Sequence, residues 1–592
     1  MENTEEKAEK RGELDMKRYY KYVKPYLPYF IIGPVMMIVE VVGEVALPKL
    51  MANIINIGAV NKDIGYIISM GGLMVLTALF MLAGGVGGAY FAAKAAVNFA
   101  ADLRSDVFAK VQTFSFSNID KFSTGSLVTR LTNDVTQMQN VIMMALRMML
   151  RAPGMLIGAV IMAFMMNAGL AMILLVVMPI LTAVIILVIR IAFPRFDWMQ
   201  KKLDRLNSNI QETLTNVRVI KSFVRGDYEE ERFGRANKEL KDASMNAFKV
   251  VIIQMPLMMV AMNFTTLAVV WFGGNQILQG TMPVGDLTAF TTYIVQVLMS
   301  LMMLAMVLLM SSRALASSRR ICEVLDTEVD LKDEQAAFPD KKVEKGDIEF
   351  RHVDFSYYKD SGEKVLENID LKIGAGQTVG IIGSTGCGKT SLVQLIPRLY
   401  DADEGEVLVD GVNVKDYSLR HLREGVGMVL QKNVLFSGTI LENLEWGDEN
   451  ASLEEVREAS SQAQADSFIS AFTDGYETEL GQGGVNVSGG QKQRLCIARA
   501  LLKKPRILIL DDSTSAVDTA TEAKIREAFV SSLRDTTKLI IAQRITSVMD
   551  ADQIVVMDEG RIVGLGRHEQ LMASCAPYQE IYYSQRDKEV TA

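Results

Sequence analysis

The chain has 592 residues, which is long enough for several domains. Hydrophobic residues make up 49% of it and its mean hydropathy is positive, which is high for a wholly soluble protein and predicts a membrane portion. The net charge of −8 gives no sign of a nucleic-acid partner, because such proteins carry a basic excess.

Apolar stretches of about 20 residues, the length that crosses a bilayer, occur six times in the N-terminal half. They cover roughly 28–50, 66–93, 140–167, 169–192, 249–277 and 286–311. Lys and Arg are concentrated before the first stretch and in the two long loops, so these parts should lie in the cytoplasm. We expect a cytoplasmic segment at 1–27 and a helical transmembrane domain at 28–318, embedded in the lipid bilayer. The long loops read as helices that continue from the stretches.

Two pairs of ionisable residues lie within the first and third stretches. Glu40 and Glu44 are spaced i,i+4, as are Arg147 and Arg151, so each pair should share one helix face. Charge at membrane depth is costly and normally faces a cavity or a partner. The sequence leaves open whether these residues contact a transported substrate or pair with one another.

A polar and highly charged segment, "DTEVDLKDEQAAFPDKKVEKGD", follows the last apolar stretch. Its composition and its proline are typical of a connection between domains. We therefore expect a linker at 319–346 and a second, soluble domain at 347–592.

The second domain contains "VGIIGSTGCGKTSL", an apolar strand followed by a glycine-rich loop and the start of a helix. The loop fits G-x-x-x-x-G-K-[ST], in which backbone N–H groups surround phosphates, the lysine reaches the β- and γ-phosphates and the hydroxyl binds Mg²⁺. The predicted phosphate-binding residues are Gly383, Ser384, Thr385, Gly386, Cys387, Gly388, Lys389, Thr390 and Ser391.

A second buried strand, "RILILDD", ends on two aspartates. Asp511 is placed to hold Mg²⁺ together with Thr390, and Asp512 to act on the attacking water. Between the two strands lies "NVSGGQKQRLCIARALLKKP". There Ser488 and Gln491 predict a capping box, and Gly489 and Gly490 would let an anion approach the start of a helix.

Together these residues resemble the ATP-binding-cassette (ABC) family over nearly the whole chain. The glycine loop at 383–391, Gln431 in "MVLQKNVLFSGTI", "VSGGQ" at 487–491, Asp511 and "SAVD" at 515–518 occur in the family's order and spacing. The N-terminal half, which contains the six apolar stretches, resembles the membrane domain of the exporter branch of this family. The resemblance implies an all-α six-helix transmembrane domain, followed by an α/β P-loop nucleotide-binding domain with a helical signature subdomain.

The resemblance also implies roles for individual residues. Tyr357 in "VDFSYY" matches the aromatic residue that stacks on adenine, with Tyr358 a less favoured substitute. Gln431 would contact ATP and Mg²⁺, and Asp518 would belong to the D-loop. Exporters of this family pair two cassettes, so that each ATP lies between the glycine loop of one chain and the signature of the other. The two long cytoplasmic loops resemble those that carry short coupling helices.

Two positions depart from the family's pattern. The catalytic base is usually glutamate, where this chain has Asp512, and the switch residue is usually histidine, where it has Gln543. The three histidines, His352, His421 and His568, lie elsewhere in the sequence. In the signature, only the first residue differs, with valine in place of the usual leucine.

From these departures we expect one half of a heterodimeric exporter at a bacterial-type plasma membrane. Its own ATP site would bind nucleotide and hydrolyse it slowly, whereas Ser488, Gly489, Gly490 and Gln491 would complete the partner's site. The substrate would be a hydrophobic or amphipathic drug, lipid or peptide. Two alternatives stay open: a homodimeric exporter with Asp512 as base, and a nucleotide-sensing subunit, regulatory or channel-like, that does not hydrolyse ATP.

Overall fold

The structure is a computed structural model that describes residues 16–333, 336–358, 362–513 and 516–590, without the side chains of 16–17, 305–314 and 586–590. The described residues form two units. The first contains the chain up to Gln112 together with Thr124–Thr327, and the second contains Thr113–Ser123 together with the chain from Glu328 onward.

The first unit is helical throughout its described part. Its α-helices are α1 (Met16–Val23), α2 (Leu27–Asn53), α3 (Ile64–Gln112), α5 (Thr124–Thr129), α6 (Val135–Met148), α7 (Arg151–Met166), α8 (Ala168–Thr215), α9 (Val217–Ser222), α10 (Gly226–Leu278) and α11 (Val284–Asp326), whereas α4 (Phe116–Lys121) belongs to the second unit. Turns of π-helix at Ile54–Ala59 and Arg130–Asp134 adjoin α2 and α6.

Six helical segments in the described residues are long and apolar enough to cross a membrane. Each overlaps one of the six predicted stretches, which confirms the predicted helical transmembrane domain. Three helices, α3, α8 and α10, continue far beyond their apolar parts, as the periodicity of the long loops predicted.

Small residues allow α2 and α3 to approach each other closely. A Cβ atom at Gly84 would lie 2.8 Å from the backbone oxygen of Met36, and one at Gly88 would lie 2.6 Å from the methyl group of Met37. Because backbone cannot move away cheaply, a side chain at Gly84 would push the two helices apart. In membranes, small residues at helix interfaces generally let the two backbones approach closely.

Three of the four ionisable residues singled out in the first and third stretches form a paired cluster. One amino group of Arg151 lies 3.1 Å from a carboxylate oxygen of Glu40 and 3.2 Å from one of Glu44, whereas Arg147 is exposed. The predicted single helix face for the two arginines is interrupted at residues 149–150, where α6 ends and α7 begins. Pro153 explains the break, because it lacks the N–H that would bond to the carbonyl four residues earlier.

The first part of the segment 319–346, predicted as a linker, belongs to a helix. Helix α11 continues to Asp326, with Ile321 and Val324 fully buried, so residues 319–326 are helical. The loop segment Thr113–Ser123 belongs to the second unit. Its Ser115 hydroxyl bonds to Asp330 at 2.5 Å, and its Asn118 amide bonds to the Glu328 carbonyl at 3.0 Å.

The second unit is an α/β domain. Its strands are β1 (Ile348–Phe355), β2 (Leu366–Ile373), β3 (Thr378–Gly383), β4 (Glu404–Val409), β5 (Val412–Asn413), β6 (Val426–Val429), β7 (Gly438–Thr439), β8 (Glu479–Leu480), β9 (Ile507–Asp511), β10 (Thr537–Ile541), β11 (Gln553–Asp558) and β12 (Arg561–Gly566). Its α-helices are α12 (Lys389–Gln394), α13 (Leu419–Glu424), α14 (Ile440–Glu445), α15 (Leu453–Gln462), α16 (Asp466–Ile469), α17 (Gly489–Leu502), α18 (Thr519–Ser532), α19 (His568–Ser574) and α20 (Ala576–Val590).

Two sheets and a helical part organise this unit. In the described residues, one sheet has the order β2-β1-β4-β5 and is antiparallel, and the other has the order β12-β11-β3-β10-β9-β6. The second sheet is parallel except for β12. Helices α14 to α17 pack around a separate hydrophobic cluster that includes Leu495 and Ile497. This arrangement confirms the predicted α/β domain with a helical subdomain.

The strand order brings the predicted site residues to one edge. Strand β10 lies between β3 and β9, with Ile541 opposite both Ile381 and Asp511. The loops that follow these three strands therefore leave the sheet side by side. Ligands of parallel α/β sheets bind at this edge.

Candidate nucleotide-binding site

The loop after β3 has a backbone that only glycine adopts readily. Gly386 and Gly388 have φ values of 86° and 95°, in the left-handed region. A Cβ atom at Gly388 would lie 2.8 Å from a methyl group of Leu366 and 2.9 Å from the carbonyl of Val365. A larger residue would therefore be strained and would also collide with the start of β2. These restraints hold the curled loop that the phosphate-binding motif requires.

Polar groups converge below this loop. The ammonium group of Lys389 lies 2.8 Å from the carbonyl of Gly383 and 2.7 Å from that of Ser384. The hydroxyl of Thr390 donates to Oδ1 of Asp511 at 3.1 Å. The structure thus brings together Lys389, Thr390 and Asp511, which the motifs predicted from separate parts of the sequence.

The carboxylate of Asp511 suits a metal ligand. The residue is only 1% exposed, and its Oδ2 atom has no hydrogen-bond partner among the described residues. Burial is the main cause that raises the pKa of Asp511, and the charge of Asp512 adds to it; the bond from Thr390 opposes both. An unpaired buried oxygen beside a hydroxyl is the donor set that Mg²⁺ prefers, so these residues fit the ion.

Asp512 and Gln543 are paired with each other. The Gln543 amide donates to Oδ2 of Asp512 at 2.8 Å, and Gln431 also bonds to this carboxylate. Burial raises the pKa of Asp512, whereas these two bonds and the charge of Lys389 lower it. The backbone of Asp512 has φ 49°, an uncommon conformation that aspartate tolerates better than most residues. Three predicted site residues, including Gln431, therefore meet at one carboxylate.

The histidines of the chain have partners elsewhere. His352 lies beside Asn368 and Asp370, and the ring of His421 bonds to the carbonyl of Pro339. His568 bonds to the hydroxyl of Tyr578 at 2.8 Å. Each of the three histidine rings therefore has a local partner, and the switch position is occupied by the carboxamide of Gln543.

The predicted adenine-stacking residue Tyr357 belongs to an aromatic cluster. Its hydroxyl bonds to Ser391 at 2.9 Å, and its ring meets the ring of Tyr400 edge-on, with centroids 5.2 Å apart. Tyr400 in turn donates to Asp120 of helix α4 at 2.7 Å and contacts the ring of Phe116. The sequence reasoning missed Tyr400, because its partner lies 280 residues away along the chain.

The predicted signature residues form the capping box that the sequence indicated. The backbone N–H of Gln491 bonds to the Ser488 hydroxyl at 3.3 Å, and the Gln491 side chain returns to the Ser488 N–H at 2.9 Å. A Cβ atom at Gly490 would lie 2.8 Å from the carbonyl of Ala516. Glycine is therefore required where the start of α17 meets the loop that follows β9.

Asp518 caps helix α18 through the N–H of Thr521, at 2.9 Å. This bond is the main cause that lowers the pKa of Asp518. The predicted D-loop "SAVD" lies partly outside the described residues, because they omit Ser515. Within the described part, the N–H of Ala516 bonds to Gln493 of helix α17, so the signature helix and this loop are joined.

Comparison with known families agrees with this arrangement in both units. A family model described as ABC transporter transmembrane region matches residues 30–301, and one described as ABC transporter matches residues 366–515. The two matches cover most of the chain and fall in the helical unit and the α/β unit, respectively.

Individual relatives match over nearly their full length. "Uncharacterized ABC transporter ATP-binding protein YfiB" of Bacillus subtilis is 41% identical over 97% of this chain and 99% of its own. "ATP-dependent lipid A-core flippase" of Desulfotalea psychrophila is 32% identical over 96% of this chain and 99% of its own. A solved structure titled "Structure of a bacterial Atm1-family ABC exporter with ATP bound" superposes with a TM-score of 0.77, at 25% identity over 94% of this chain and 98% of that one.

Membership has direct consequences for the chain. Its cassette binds ATP, its helical unit lies in a lipid bilayer, and it pairs with a second half-transporter, as in other exporters of this type. Transport across the membrane is then coupled to ATP hydrolysis. The chain belongs to the ABC transporter family, as an exporter half-transporter with the Atm1-family fold, in which one membrane domain is fused to one ATP-binding cassette.

Proposed function

We propose that this chain is the slowly hydrolysing half of a heterodimeric exporter in a bacterial plasma membrane. Its own ATP site binds and holds nucleotide on the cytoplasmic side. Its signature, Ser488 to Gln491, completes the faster site on a partner half that carries glutamate and histidine at the two changed positions.

The contact between Gln543 and Asp512 carries this proposal. The usual glutamate would extend about 1.5 Å farther than Asp512, and a misplacement of ~1 Å can cost about 10²-fold in rate. The amide that bonds to the Asp512 carboxylate can neither carry a positive charge nor transfer a proton as imidazole does. Loss of a positioned base costs roughly 10²–10⁴-fold, or about 3–5 kcal/mol in activation free energy.

Nucleotide binding by the chain's own site needs none of the changed groups. Lys389 would contact the β- and γ-phosphates, the residues from Gly383 to Ser391 would surround them, and Tyr357 would stack on adenine. Thr390, Gln431 and Asp511 would hold Mg²⁺, which when bound supplies positive charge that offsets the charge of the phosphates. Slow hydrolysis combined with retained binding is the property expected of a site that holds ATP.

The signature favours a role in a partner's site. The capping box of Ser488 and Gln491 holds the first turn of α17, and the 14-residue helix places Gly489 and Gly490 at its N-terminus. Backbone N–H groups at such a position attract a phosphate. A subunit that only senses nucleotide has no need for this geometry, so a non-hydrolysing regulatory or channel-like role is the less supported alternative.

The substrate is proposed as a hydrophobic or amphipathic drug, lipid or peptide. The relative named as a lipid A-core flippase supports a lipid among these candidates. Transport into inverted vesicles, measured with a panel of fluorescent amphiphiles and fluorescent lipids, distinguishes the classes. Uptake must require ATP and must be lost in Lys389→Ala.

Unequal effects of matched substitutions test the proposed pairing. The chain is co-purified with a candidate half that carries glutamate and histidine, and ATP turnover is measured for each variant. Ser488→Ala should reduce turnover at least tenfold, because it disrupts the partner's site, whereas Asp512→Ala should change it less than twofold. Equal losses in both variants would support a homodimer-like mechanism with Asp512 as base and would reject the proposal.

A further inference from the structure

The C-terminal helix α20 contacts the loop that carries Gln543. The Gln585 side-chain amide donates to the main-chain carbonyl of Gln543 at 2.8 Å, and its oxygen accepts the N–H of Ile545 at 2.9 Å. One carboxamide thus bonds to the backbone on both sides of Arg544, as a neighbouring strand would. We define residues 543–545 as the switch loop.

A buried tyrosine holds helix α20 against the residues around this loop. Tyr578 is fully buried in a hydrophobic cluster that also includes Ile545 of the switch loop and Val548, which follows it. Tyr578 and Gln585 are seven residues apart, so both lie on the same face of the helix. The buried ring fixes the helix, and two turns later Gln585 reaches the switch loop.

The opposite side of the loop has independent support. Two residues of helix α18 contact the chain just after the loop: the Arg526 guanidinium donates to the carbonyl of Thr546, and Glu522 accepts a hydrogen bond from the Ser547 hydroxyl. Upstream, the N–H of Ala542 bonds to the carbonyl of Ile381 in β3 at 3.2 Å. The carbonyl of Gln543 lies between these supports, so Gln585 is placed to set the position of that residue.

We propose that Gln585 is a positioning residue for the γ-phosphate side of this chain's nucleotide site, acting through Gln543. The Gln543 amide has two hydrogens, and one of them bonds to Asp512. The second can bond to a γ-phosphate, which ATP has and ADP lacks. A displacement of the backbone by ~1 Å would lengthen a 2.8 Å contact beyond hydrogen-bonding distance. The C-terminal helix thereby controls how well the site distinguishes ATP from ADP.

The test is the ratio of affinities for a non-hydrolysable imido analogue of ATP and for ADP, measured with Mg²⁺ on the purified full-length chain. Gln585→Ala should reduce the preference for the ATP analogue about tenfold, the effect of one hydrogen bond to a charged group, without changing the affinity for ADP. Gln543→Ala should have the same effect, and the double variant should lose no more than Gln543→Ala alone. The matched control is Ser584→Ala, on the same helix, whose hydroxyl bonds to the carbonyl of Ile581 within that helix.

Two further outcomes decide the proposal. Gln585→Glu keeps the acceptor for Ile545 and removes the donor to Gln543, so it should cause an intermediate loss of preference. An unchanged ratio in Gln585→Ala, an additive loss in the double variant, or equal losses of both nucleotides in the Ala and Glu variants would overturn the proposal. The inference depends on nucleotide binding by the cassette and not on the proposed heterodimer, because no step in the test requires hydrolysis or a partner.

Discussion

Introducing the two family-typical residues should accelerate hydrolysis strongly only when both are introduced together. In Asp512→Glu the carboxylate would extend about 1.5 Å farther from the same backbone. The present Oδ2 atom lies 2.8 Å from the Gln543 amide nitrogen, so a carboxylate extending straight towards it would approach to about 1.3 Å. The longer side chain must therefore turn away unless residue 543 also changes.

The expected magnitudes follow from this overlap. Asp512→Glu alone and Gln543→His alone should each raise hydrolysis less than tenfold. The double variant should raise it about 10²–10⁴-fold, the contribution of a positioned base, equivalent to about 3–5 kcal/mol. Residues in contact are expected to be non-additive in this way.

The assay is ATP turnover by the purified chain reconstituted alone in liposomes at high density, so that two copies can pair through their nearly intact signatures. Thermal unfolding and ATP affinity serve as controls, because glutamate at φ 49° carries a conformational cost. Full acceleration by Asp512→Glu alone, or a double variant that binds ATP and pairs but remains as slow as the wild type, would refute the reasoning.

Three further predictions follow from the contacts described. Tyr400→Phe and Asp120→Ala should each leave ATP affinity unchanged but reduce the amount of substrate transported per ATP, because both remove the hydrogen bond that joins helix α4 to Tyr400, whose ring packs against Tyr357; unchanged transport per ATP in both variants would contradict this. The gain in ATP affinity from Mg²⁺ should decline on acidification at a higher pH than an ordinary aspartate would give, because the pKa of Asp511, the proposed metal ligand, is raised and only an ionised carboxylate binds metal; Asp511→Asn should keep only the part of the decline that protonation of ATP itself causes. Arg151→Met should lower the unfolding temperature by leaving two carboxylates unpaired at membrane depth, and adding Glu40→Gln should restore part of it.

Local patterns predicted most of the fold. Apolar length alone located the six membrane helices, because a span must satisfy its own backbone hydrogen bonds over the whole bilayer. The glycine loop, the strand ending at Asp511 and the capping box at Ser488 are each determined by neighbouring residues, and the structure has all three. The break between α6 and α7 could have been inferred from Pro153, whose missing donor interrupts a helix.

The contacts that the sequence did not reveal join distant parts of the chain. Tyr400 meets Asp120, 280 residues earlier, and Gln585 meets the carbonyl of Gln543, 42 residues earlier. Neither residue belongs to a periodic pattern or a motif, because the fold and not the local sequence brings the partners together. The pairing of Asp512 with Gln543 was similarly visible only as two separate departures from a family pattern until the strand order placed them side by side.

The most direct measurement is steady-state ATP hydrolysis by the full-length chain purified without any other half-transporter, compared with its Lys389→Ala variant. Because its carboxylate is shortened and bonded to glutamine, the unmodified chain should hydrolyse ATP slowly, at a rate little above that of the Lys389→Ala preparation, although only the unmodified chain retains ATP. Rapid hydrolysis by the unmodified chain, abolished in Lys389→Ala, would contradict the account.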